Sequence, residues 1–277
     1  MRMCKSKQLF RIFEMFNSKL IFSYMQYIYQ QTFIDLINKF APTPENPTDY
    51  YIGIGNPNAQ ILIIGKEGAT KDPEEYEICW ASQWQKKIIN NETGNLSYHN
   101  PLEKNGTYRP FRVGDTYTKY QKLHDYIFDE PHTPQKKFEV DFFKNIFITE
   151  MNINRGRNSK ETSKLGMQKR KEEFFKKSEF IQHFPIVILA CGPYIENRNK
   201  KEINTIFNVS FDKEYKSDES TNAQSFWLHY NADKSKIVLH TRQLSANVKN
   251  TLLKKMADVI KEFLHKTEMV QQMGDQE

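Results

Sequence analysis

Four short apolar runs, Ile61–Ile64, Ile146–Ile148, Ile186–Ala190 and Ile237–Leu239, each stop abruptly at a polar or glycine-containing tip. No other feature restricts the fold as much. A run that does not alternate with polar residues is a strand covered on both faces, and such strands belong to parallel sheets with helices on either side. The segments between the runs are long enough for helical crossovers, so the expected class is α/β. The expected architecture is a three-layer sandwich: a short, mainly parallel four-stranded central sheet flanked by helices. The tips after Ile64, Ile148, Ala190 and Leu239 then collect at one edge, the carboxyl edge, where open α/β sheets handle ligands.

The intervening stretches set the remaining expectations. Residues 1–40 carry Phe10, Phe13, Phe16, Leu20, Phe33 and Ile37 at mixed spacings of three and four, which predicts one or two amphipathic helices. Ala41-Pro-Thr-Pro-Glu-Asn-Pro47 ends them. Further helices are expected over Pro73–Ile89, with Trp80 and Trp84 on one face, and over Thr116–Phe128, Leu165–His183 and Asn247–Lys266. Asn90–Pro110, full of turn residues, reads as a surface or binding loop, and the stretch before Ile237 reads as helix and loop. These boundaries give an amino-terminal helical extension (1–45), one α/β domain (46–268) and a flexible tail (269–277).

Charge and cysteine content narrow the function classes. A net charge of +6 permits a polyanionic partner without demanding one. Cys4, Cys79 and Cys191 are too few and too scattered for a disulfide framework, a zinc ribbon or a four-cysteine cluster. No apolar run approaches the length of a membrane span. The expectation is a cytoplasmic monomer with no membrane partner.

Two tips carry reactive residue types. After the first run, Gly65-Lys-Glu67-Gly68 brackets a carboxylate between glycines; on this segment alone, a solvated Glu in a turn is the alternative. After the fourth run comes His240-Thr-Arg-Gln-Leu244-Ser245. Their order and spacing, with Cys79-Trp80 thirteen residues beyond the acid, resemble the uracil-DNA glycosylase superfamily over roughly residues 50–265. In that superfamily an acidic motif follows the first strand and a His-Pro-Ser-x-Leu-Ser motif follows the last.

The resemblance implies a metal-free and cofactor-free DNA glycosylase that hydrolyses the N-glycosidic bond of a flipped-out base in duplex or single-stranded DNA. Such a reaction places positive charge on the sugar and negative charge on the departing base. It implies that Glu67 positions water and that His240 donates to the base. It further implies that Gly65, Gly68, Ala69 and Trp80 shape the base pocket, that Leu244 is the wedge replacing the flipped base, and that Arg155, Arg157, Arg242 and Ser245 hold the DNA, with Lys160 nearby. The base-reading position falls on Glu150 in one alignment and on Asn152 in another.

Ala69 stands where uracil-selective relatives carry a Tyr that excludes a 5-methyl group, so thymine-like and modified cytosine bases join uracil as expected targets. Gly68 replaces the family's Pro, and Thr241-Arg242 its Pro-Ser. Two alternatives therefore stay open: a non-catalytic nucleic-acid-binding module on the same scaffold, and a hydrolase of free nucleosides or nucleotides. The other histidines, His99, His124, His132, His183, His229 and His265, are expected to be surface or packing residues.

Overall fold

The four apolar runs form the centre of the sheet. The computed structural model describes residues 29–68, 79–92, 94–97, 115–130, 140–154, 159–160, 162–196, 201–245 and 247–274. Its elements are, in chain order, α1 (Gln31–Phe40), β1 (Ile54–Gly55), β2 (Ile61–Gly65), α2 (Ala81–Ile89), α3 (Thr116–Ile127), β3 (Ile146–Glu150), α4 (Met167–Arg170), α5 (Glu179–His183), β4 (Ile186–Leu189), α6 (Glu202–Phe207), β5 (Ser210–Lys216), β6 (Ser225–Tyr230), β7 (Ile237–Thr241) and α7 (Asn250–Gly274). A wide turn of π-helix, Lys171–Lys176, extends α4.

The α/β class holds, but among the described residues the sheet is mixed and has seven strands, in the order β1-β3-β2-β4-β7-β6-β5. The inner four, β3-β2-β4-β7, are parallel, and β1, β6 and β5 extend them antiparallel at the two edges. The three extra strands lack the signal that marks the others. β1 is two residues long, and β5 (Ser-Phe-Asp-Lys-Glu-Tyr-Lys) is an exposed edge strand. Its charged side chains protect an open edge rather than fill a core.

Each inner strand feeds two cores. Ile61, Ile63, Ile146, Ile148, Ile186, Ile188, Ile237 and Leu239 face α3 and α7. Leu62, Ile64, Phe147, Val187, Leu189 and Val238 face α1, α2 and the helices between β3 and β5. On the second face Phe33 of α1 meets Trp84, Phe147 and Phe180 at ring separations of 4.9, 6.1 and 4.8 Å. The helix expected as an extension is therefore part of the core, and residues 1–28 lie outside the described residues.

Other boundaries move for local reasons. Trp80 does not share a helix face with Trp84: it precedes α2 in extended conformation and bridges Tyr51, while Trp84 is fully buried and donates Nε1–H to the Gly53 carbonyl at 2.8 Å. The helix expected over Leu165–His183 is broken, because the Ser178 side chain caps a fresh start by accepting from the Ile181 amide. The last helix continues to Gly274, through most of the stretch expected as a tail.

Backbone geometry requires glycine at positions 53 and 55. Gly55 has φ of +107°, and a Cβ there would lie 2.2 Å from the Ile146 carbonyl oxygen. Gly55→Ala is expected to cost roughly 2–5 kcal/mol through strain and overlap with backbone. The check is a lower urea midpoint at unchanged slope.

His229 makes stability pH-dependent. It is fully buried in β6, and burial lowers its pKa from 6.5 to about 4 against the opposing pull of the Val238 carbonyl. The unfolded chain therefore takes up the proton first as pH falls. The associated stability is whole above pH 6.5 and declines between 6.5 and about 4. At about 1.4 kcal/mol per pH unit the full loss is roughly 3 kcal/mol. Urea midpoints measured across this window should fall for the wild type and flatten for His229→Phe.

Candidate active site

Parallel pairing brings the carboxyl ends of β2, β3, β4 and β7 to one edge, and Glu67 stands two residues beyond β2. The β2–β3 ladder continues past the strands: the Met151 amide donates to the Gly65 carbonyl at 2.9 Å and the Asn152 amide to the Lys66 carbonyl at 2.8 Å. This fixes the turn. A Cβ on Gly65 would meet Glu150 Oε2 at 2.2 Å, so the Glu150 side chain crosses the space that glycine leaves.

Glu67 is buried, with 8% of its surface exposed. Its Oε1 accepts a short hydrogen bond from Ser159 Oγ. Its Oε2 is buried and accepts none from the described residues. Beside this carboxylate lies the buried hydroxyl of Tyr194, from the turn after β4, close to Glu67 and Ser159 but with no well-formed hydrogen bond to a described group. Burial, then the neighbouring Glu67, pushes the phenol up to about 12, so it remains a neutral donor. The ammonium groups of Lys66 and Lys164 lie over the Tyr194 ring, 5.3 and 5.2 Å from its centre.

His240 ends β7 at 5% exposure. Its Nε2 lies 2.9 Å from the Gly192 carbonyl oxygen, which can only accept, so Nε2 carries the proton. Its Nδ1 is buried without a partner among the described residues. Burial lowers the His240 pKa, with the Gly192 carbonyl and Glu196 opposing, and the ring is neutral near pH 7. The Trp227 ring leans on it at 5.5 Å and 33°.

The acid and the imidazole sit on strands separated by β4. What joins them is the turn Gly192–Tyr194. Its first residue holds His240, its last lies against Glu67, and a Cβ on Gly192 would stand 3.7 Å from Lys66 Cε and 3.8 Å from Arg242 Cα. His240 and Arg242 line a cavity of about 750 Å³ that opens beside β6 and β7, and Glu67 is not among its lining residues. No protein-family model and no curated protein matches the chain.

Several expected site residues are occupied elsewhere. Leu244, expected as a wedge, is fully buried in the core with Leu252 and Met256, because its apolar side chain gains more under α7 than in water. The Asn152 amide cannot read a base as it stands: its nitrogen donates to the Ser163 carbonyl and its oxygen accepts from the Asn154 backbone and side chain. Trp80 is half-buried with its ring edge-on to Tyr51, at 5.9 Å and 89°. Arg242 and Lys160 are exposed, and Gly68 and Ser245 are half-buried. Ala69, Arg155 and Arg157 lie outside the described residues, as do His99 and His132. His124 is a packing residue, its ring nitrogens 3.3 Å from Asp125 Oδ1 and 3.0 Å from Asn145 Nδ2.

Ser159, Tyr194 and Trp227 were not legible as site residues. Tyr194 directly follows the third tip, Cys191-Gly-Pro193, so counting one residue further along that tip would have reached it. Ser159 lies in a basic loop with no pattern of its own. Among the described residues no helix is long and apolar enough to cross a membrane.

Proposed function

We propose that the chain is a base-excising hydrolase of DNA, acting on a flipped-out uracil, thymine-like or modified base in a cytoplasmic setting. The observation that carries this reading is the asymmetry of Glu67: one carboxylate oxygen is held by Ser159, and the other is buried and accepts from none of the described residues. A buried acceptor left in that state costs free energy unless something from outside the chain fills it. A water bridging Glu67 Oε2 and the Tyr194 hydroxyl would satisfy both orphaned atoms.

Such a water is also the nucleophile that hydrolysis needs. The carboxylate orients it and, being anionic in a site sheltered from solvent, opposes the positive charge that gathers on the sugar as the bond breaks. Tyr194, held neutral, orients the water without competing for the proton. His240 acts as a neutral imidazole whose Nε2–H exchanges the Gly192 carbonyl for an oxygen of the departing base; neutral imidazole is a sufficient electrophile for such an oxygen.

The internal engagement of Asn152 and Leu244 favours one second reading, a nucleic-acid-binding module on the same scaffold. Purified protein incubated with oligonucleotides bearing uracil, mispaired thymine or modified cytosines separates the two. Abasic sites support the hydrolase, whereas salt-dependent binding with no abasic sites on any substrate supports the module.

Removing the phenol tests the water site separately. Tyr194→Phe is expected to slow excision about tenfold to a hundredfold with little change in DNA affinity, since it deletes one of the two partners that hold the water. Single-turnover rates beside binding isotherms would show it, and an unchanged rate would remove Tyr194 from the mechanism.

A further inference from the structure

The loop that caps the acid also carries an apolar side chain that the protein does not bury. Ser159, toward its start, donates to Glu67 Oε1, and Lys164, near its end, lies over the Tyr194 ring. The next residue, Leu165, is 84% exposed, more than any other large apolar side chain among the described residues. The other exposed ones, Ile89, Phe128, Phe211 and Met269, stand on or beside α2, α3, β5 and α7.

A single leucine in water ordinarily calls for no explanation. What sets Leu165 apart is the polar scaffolding that holds it out. Its amide donates to Ser163 Oγ at 3.2 Å, and its carbonyl accepts from Asn154 Nδ2 at 2.7 Å. Asn154 Nδ2 and Asn152 Nδ2 also donate to the Ser163 carbonyl, at 3.1 and 2.9 Å. The Asn152 amide in turn donates to the carbonyl of Lys66, next to Glu67. The backbone of an exposed apolar residue is thus tied to the turn that carries the acid. Ser163, Lys164 and Gly166 around it are exposed as well, so the tip projects into solvent.

Taking a base out of a duplex leaves a gap in the stack, and an apolar side chain that enters the gap offsets part of the lost stacking. Leu244 cannot do this from under α7. We propose that Leu165 is the wedge that enters the duplex in place of the flipped nucleotide, carried there by the loop that holds Glu67. Lys160, Lys164 and Lys169, all exposed, bring charge along the same stretch of chain that suits the phosphates on either side of a gap. This deepens the proposed function and rests on it for the flipped base. The occupant of the tip is the interior of a stacked duplex; a single strand has no stack to hold open.

The test compares duplex with single-stranded substrate. For Leu165→Ala, the rate of excision from a duplex divided by that from a single strand should fall about tenfold to a hundredfold below the wild-type ratio. Leu165→Phe, which keeps a large apolar tip, should recover most of it. A merely structural role for Leu165 would slow both substrates alike and leave the ratio where it was. The urea midpoint should stay at the wild-type value for both variants, because the side chain is already in water in the folded protein.

A second measurement needs no catalysis. Duplexes carrying 2-aminopurine beside a uracil, a mispaired thymine or a modified cytosine should brighten when saturated with wild type, as the wedge opens the stack. Leu165→Ala should give less than about half of that rise. No brightening on any duplex, or equal brightening with the variant, overturns the wedge whether or not a base is released. The two readings fail independently. Excision with an unchanged duplex-to-single-strand ratio leaves the hydrolase and removes the wedge; brightening that Leu165→Ala loses, without excision of any base, leaves the wedge and removes the hydrolase.

Discussion

Glu67→Gln is expected to lower the single-turnover rate of base release about 10²–10⁴-fold, the range seen when a positioned acid–base group is lost. Gln is nearly isosteric with Glu, and Ser159 can still donate to its amide oxygen, so DNA affinity and the urea midpoint should stay close to wild type. What disappears is the negative charge, together with the free acceptor that Oε2 offers. Because the wild-type carboxylate is sheltered from solvent, its charge acts on the sugar at lower effective dielectric than in water. The loss should therefore fall on rate rather than on binding.

Arg170→Ala is expected to cost the largest share of stability of any single side chain considered, about 3–5 kcal/mol. Arg170 is 1% exposed. Its guanidinium donates to the carbonyls of Glu150 and Tyr51 at 2.9 Å each and to Thr149 Oγ1 at 3.0 Å. Its face lies 4.0 Å from the centre of the Phe174 ring. Burial pulls its pKa down, while Tyr50, Tyr51 and Glu150 push it back up. Truncation would leave two carbonyls without this donor and a cavity among aromatic rings, and would take one cation away from the Glu150 carboxylate.

Lys at position 170 should not rescue, because a single ammonium cannot reach three separate acceptors in the plane that the guanidinium spans. Urea denaturation at constant slope measures the effect. A loss below about 1 kcal/mol would place Arg170 among ordinary surface cations.

The sequence revealed what depends on short-range pattern. Ile61–Ile64 and Ile186–Leu189 are buried on both faces, and an unbroken apolar run can mean little else at that length; the two tips they feed were therefore located correctly at the carboxyl edge. β5 and β6 escaped because β5 lies at an open edge and carries charge for protection, while Ser225–Tyr230 mixes polar and aromatic residues that also suit a loop. Leu244 shows the limit of reading a role from motif position: the residue type fits a wedge, but nothing in the local sequence tells whether α7 covers it. Ser159 and Tyr194 meet Glu67 only through tertiary contacts 92 and 127 positions away along the chain, a separation that no local pattern spans.

The most direct test of the central claim is release of a free base from a modified-base oligonucleotide under single-turnover conditions, with wild type and Glu67→Gln at saturating protein. Release by the wild type, with a rate at least a hundredfold lower for the variant at equal DNA occupancy, is the result expected if Glu67 orients the attacking water. Equal rates for the two proteins, or no base released by either from any substrate, would contradict it.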